Sequence, residues 1–100
     1  MNNGSNEKHA AAKLDVFPSC GFVGEGERSD AVGAVQMILN TLKIRYDAWD
    51  FLDVSFALDE PTALAVGAFR QAHGFADDPG IDLVTWNALA SEYALLRELE

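Results

Sequence analysis

The chain holds a single cysteine, Cys20, so no internal disulfide framework exists. That cysteine and two distant histidines, His9 and His73, do not make a standard structural zinc site. No apolar run approaches the ~20 residues that a bilayer span requires, which excludes membrane insertion. Positive charge is scarce: seven Lys and Arg stand against sixteen Asp and Glu, for a net charge of −9. Nucleic-acid binding depends on neutralising phosphates, and the chain offers no basic patch for that. Residues 47–82 carry eight acids and one Lys or Arg, Arg70, so an anionic membrane surface would repel this segment. The opening MNNGSNEKHAAAK has no apolar period and no long apolar stretch after a basic start, so it does not read as a signal peptide.

What is present suits one small domain. Of the 100 residues, 49% are hydrophobic, enough to build a core and to exclude wholesale disorder. Residues 1–15 read as a disordered tail and 16–98 as the domain. The segment LDVFPSCGFVGEGE, from Leu14, is rich in glycine and reads as irregular loop. A first helix is predicted over 30–45, because Val32, Val35, Gln36, Leu39 and Leu42 recur at helical steps and Ser29 or Asp30 suits the N-cap. The second is expected to open at Asp59 with Pro61 in its first turn, where the missing N–H is harmless. Its stripe reads as Leu64, Ala65, Phe69 and Ala72, with Gly74 as a left-handed C-terminal stop and Phe75 folding back. Gly67 within that helix suggests close packing. The third begins near Asp82, with Trp86, Leu89, Ala90, Tyr93 and Leu96 or Arg97 on one face. The IRYDAWDFLDVSFA stretch between the first two helices is too apolar for a solvated linker. It is expected to pack on the bundle, with a short helix around 47–53.

Two helix starts echo each other. Leu58-Asp59-x-x-Thr62 and Ile81-Asp82-x-x-Thr85 both place an apolar residue, an acidic cap and a first-turn hydroxyl in order. The carboxylate accepts from exposed N–H groups and suits the positive end of the helix dipole.

Taken in order, these residues resemble the peptidoglycan-binding domain family, a small three-helix module attached to bacterial cell-wall hydrolases. Gly26, Val32, Val35, Gln36 and Leu39 match its first block, and Thr62, Ala65, Val66 and Phe69 its second. Gly74 and Phe75 fall where the family has Gly-Leu. Asp78, Thr85, Trp86 and Leu89 match the last block, with Tyr93 at a position often aromatic. The chain departs at Ser29, at Arg70 where the family has Gln, and in the loops. Ser55-Phe56-Ala57-Leu58-Asp59 has lost the expected glycines, and the glycine of the last loop is displaced to Gly80.

The resemblance implies an all-α three-helix bundle with a long packed linker between its first two helices. It also implies a non-catalytic module that targets an attached or partner protein, such as a hydrolase, to the cell envelope or an extracellular wall. The alternative is a protein-interaction or structural domain that keeps the fold without glycan binding. Ligand candidates are Tyr46 and Trp49, linker aromatics beside carboxylates that would stack on sugar or acyl faces. Asp59 and Asp78 would accept from hydroxyl or amide donors. Arg70 reads either as a surface ion pair with Glu60 or Asp77, or as a clamp on a stem-peptide carboxylate. On either reading Arg70→Ala should leave the fold intact. Gln36 and Trp86 read as core, and His73 as a helix C-terminal group. No catalytic pair or cofactor motif is selected, and Asp47-x-x-Asp50-x-x-Asp53 lacks the turn of a calcium loop.

Overall fold

The computed structural model describes residues 22–76 and 80–99. The expected tail, Cys20 and Asp78 lie outside the described residues. The elements in order are β1 (Phe22–Val23), α1 (Asp30–Leu42), α2 (Glu60–Ala72), β2 (Ile81–Asp82) and α3 (Leu83–Leu99). The three helices are those expected. The sheet is new to the all-α expectation: β1 and β2 pair antiparallel, Phe22 opposite Asp82 and Val23 opposite Ile81. Two-residue strands carry no alternation that a sequence reading can detect.

α1 presents Val32, Val35, Gln36, Leu39 and Leu42 to the core, all 0% exposed. Ser29 caps it, its side chain accepting from the Val32 N–H. The helix ends at Leu42, short of the expected 45. There the N–H groups of Ile44 and Arg45 turn to the carbonyls three residues back, a tightened last turn.

α2 opens as expected, with Asp59 accepting from the Thr62 N–H and Pro61 in the first turn. Its buried face is Thr62, Ala65, Val66, Phe69 and Arg70, flanked by Ala63. Leu64 and Ala72 are exposed, against the expected stripe. Leu64 lies a half-turn from Val66 and cannot share that face, whereas Ala72 keeps the phase of Ala65 and Phe69 but is the last residue of the helix. The C-terminus closes in a Schellman motif. Gly74 has φ 75°, its N–H reaches the Gln71 carbonyl, and the Phe75 N–H reaches the Arg70 carbonyl at 2.9 Å.

Gly67 is not closely packed: a Cβ there would meet nothing within 4 Å. Gly67→Ala should therefore stabilise the domain by about 1 kcal/mol through helix propensity. A thermal melt that falls instead would reveal a contact the open space does not predict.

The linker packs onto the bundle without the short helix expected at 47–53. Asn40 grips its backbone instead, donating to the Leu52 carbonyl at 2.9 Å and accepting from the Leu52 N–H at 2.7 Å. The Trp49 indole donates to the Leu39 carbonyl at 3.0 Å. Backbone satisfied by side chains of α1 gains nothing further from helical hydrogen bonds. Phe56, in the loop before α2, holds φ 63°. Its ring lies over Gly33, where a Cβ would come within 2.2 Å of it, so the missing side chain on α1 makes room for the bulky residue.

Candidate functional site

The two echoing helix starts are two copies of one polar arrangement. In the first, Thr62 donates from N–H and hydroxyl to Asp59, at 3.1 and 2.5 Å. Buried Gln36 reaches in from α1 and donates to the Thr62 hydroxyl oxygen at 2.9 Å. The same amide donates to the Ala57 carbonyl and accepts from the Phe56 N–H. In the second copy, the Thr85 N–H donates to Asp82 at 2.8 Å, and buried Arg70 donates to the Thr85 hydroxyl. Arg70 also pairs with Asp82 at 3.0 Å, and its Nε and Nη2 donate to the Ala76 carbonyl.

Arg70 thus stands where Gln36 stands one unit earlier. The sequence spacing agrees: Val32, Val35 and Gln36 recur as Val66, Phe69 and Arg70. This corrects the surface reading of Arg70. The residue is 5% exposed, its partner among the described residues is Asp82 and not Glu60, Asp77 lies outside the described residues, and the guanidinium is committed to the interior. A ligand carboxylate would have to displace those bonds.

Both cap carboxyls titrate below their ordinary value of 3.8. At Asp59 the Thr62 hydroxyl is the main cause, aided by the Thr62 N–H and Ser55 against a smaller burial effect. At Asp82 burial is the largest influence and pushes upward, but the Thr85 hydroxyl and N–H together with Arg70 outweigh it. A carboxyl depressed in the folded state adds stability above its unfolded pKa and loses it as pH falls through the folded one. The melting temperature should therefore hold from neutral pH toward 3.8 and drop progressively below it. Asp59→Asn with Asp82→Asn should flatten that acid limb; an unchanged limb would assign it to other carboxyls.

The linker aromatics are anchors as much as surface. Trp49 is 8% exposed and stacks on Tyr46 at 5.3 Å. The Tyr46 hydroxyl donates to Glu92 at 2.8 Å, and Glu92 also meets His73 Nε2 at 2.6 Å. Burial, then the Glu92 hydrogen bond, raises the Tyr46 hydroxyl above its usual value of 10.0. This cluster joins the linker, the end of α2 and α3. His73 is the C-cap residue of α2, as its place before Gly74 suggested.

Of the five expected ligand residues, then, Tyr46 and Trp49 come together, Asp59 caps α2, Arg70 is interior, and Asp78 is not described. The accessible surface lies elsewhere on α2. Two grooves flank exposed Leu64. One, about 460 Å³, is walled by Trp49, Phe51, Leu52, Pro61, Leu64 and Ala65, with Asp47 and Asp50 at its rim. The other, about 630 Å³, runs over Gly67 between Leu64 and Phe75, with Glu25 and Glu60 beside it. Phe51 is 73% exposed and Leu64 68%. The sequence reading missed both; the position of Leu64 a half-turn off the Val66 face was the available signal.

Among the described residues no group of His, Cys, Asp or Glu is arranged to hold a metal ion. No described helix is long and apolar enough to cross a membrane. Comparison with protein-family models, curated proteins and solved structures gives no match.

Proposed function

We propose that this chain is a non-catalytic peptidoglycan-binding module that holds an attached or partner protein at the bacterial cell wall. The observation that carries the reading is the surface around Leu64. Exposed Phe51 and Leu64 line a groove with the largely buried Trp49, beside exposed carboxylates. Apolar walls suit sugar or acyl faces, and the carboxylates accept from hydroxyl and amide donors. The family resemblance supplies the ligand class, which fold-level likeness alone does not decide. Tethering would raise the local concentration of a wall-acting partner without chemistry in this domain.

The second groove favours a second reading, a protein-interaction domain. Its apolar floor over Gly67, between Leu64 and Phe75, has the form of a bed for a peptide side chain. Co-sedimentation with purified peptidoglycan sacculi decides between the two. Retention that Leu64→Glu abolishes, without a change in melting, supports the wall module. A chain that stays in the supernatant at every concentration overturns that reading and leaves the interaction domain.

A further inference from the structure

We propose that the groove beside Trp49 selects a peptide bearing a free primary amine on an aliphatic stem. This deepens the wall-binding reading and rests on it for the identity of that peptide, a wall stem peptide with an uncapped diamino-acid side chain.

The groove has two parts of different chemistry. Its walls, Trp49, Phe51, Pro61 and Leu64, are apolar, and its rim carries Asp47 and Asp50. Both carboxylates are exposed, and among the described residues neither enters an ion pair. No Lys or Arg lines the groove. An aliphatic stem with a terminal ammonium matches this division, stem on the walls and charge at the rim, as long cationic side chains lie on protein surfaces. A hydroxyl or amide donor can also meet these carboxylates, but an ammonium meets them with opposite charge as well as with hydrogen bonds.

The surface already accommodates one ammonium. Lys43 Nζ lies 5.1 Å from the centre of the Phe51 ring and donates to the Trp49 carbonyl. An aromatic face attracts a cation through its quadrupole, so Phe51 is suited to that charge. Lys43 is held by the backbone oxygen and makes no ion pair with Asp47 or Asp50, so the rim charges stay available to a ligand.

The test is an amide NMR titration of the whole chain with three probes. They are a soluble muropeptide with a free side-chain amine, the same muropeptide N-acetylated at that amine, and the peptide acetyl-Ala-Lys-Ala-amide. The free-amine muropeptide should bind about fivefold more tightly than the acetylated one, the scale of an exposed charge pair. The shifts should centre on Trp49, Phe51 and Leu64, and the affinity should fall as salt rises. Asp47→Asn with Asp50→Asn should erase the preference while leaving the melting curve in place. Equal affinity for the two muropeptides overturns the amine inference and leaves the wall reading standing. Binding of the lysine peptide in the groove without binding of either muropeptide upholds amine selection and overturns the wall reading. No shift with any probe at millimolar concentration overturns both.

Discussion

Arg70→Ala should cost the domain roughly 3 kcal/mol, enough to lower its melting temperature by about 12–24 °C. The guanidinium is 6% exposed and meets three partners: Asp82, the Thr85 hydroxyl and the Ala76 carbonyl. Truncation removes every donor and leaves those acceptors facing a void. The expected cost lies at the low end for a broken buried pair because the Asp82 side chain is 40% exposed and can turn to water. Arg70→Gln should cost less than Arg70→Ala, because Gln36 performs the equivalent task at Thr62 with a neutral amide. Denaturant titration of the two variants checks both magnitude and order. A loss below about 1 kcal/mol for Arg70→Ala would return the residue to the surface class of ion pair.

The contrast between Arg70 and Asp59 shows which features were legible. Asp59 takes its role from Thr62, three residues on, so a local pattern announces it. The same holds for Asp82 with Thr85, and for Gly74, whose left-handed turn follows from its place after a helical run. Arg70 depends on residues 6, 12 and 15 positions away, in a loop, in β2 and in α3. Its sequence neighbourhood says only that a charged residue follows an apolar one. The clue lay at longer range, in the repeat that sets Arg70 against Gln36.

The linker was illegible for the same reason. Leu52 has both backbone groups bound by Asn40, and Trp49 is tied to Leu39, so its course is dictated by α1. Nothing between residues 46 and 58 encodes that course locally. The candidate surface inherits the difficulty. Trp49 was singled out, but Phe51 and Leu64 become a groove only when the linker is laid against the start of α2. The stripe of Leu64, Ala65, Phe69 and Ala72 places Leu64 inside, although its phase relative to Val66 and Arg70 puts it outside. Beside exposed Phe51 it contributes to an apolar patch, and a patch rather than a single exposed Leu is what marks an interaction surface.

Trp86→Ala should destabilise the domain by about 3–5 kcal/mol, the usual cost of deleting a buried aromatic. Trp86 is 4% exposed on α3, one position after the Thr85 that receives Arg70, and one turn before Leu89 at 0%. Its removal opens a cavity in the core that α3 shares with α1 and α2. A small domain has about 5–15 kcal/mol of stability, so the loss is a large share of the total. Trp86→Phe, which leaves less empty volume, should retain more of that stability. The substitution also leaves Trp49 as the single indole, and Trp49 Nε1–H is bound to Leu39 in the folded linker. Its fluorescence in a urea titration therefore follows the linker and its circular dichroism the helices. Coincident transitions at a lowered midpoint would show Trp86 supporting both as one cooperative unit. An unchanged midpoint would mean that the ring contributes nothing to the core, and would make Trp86 a candidate for ligand contact instead.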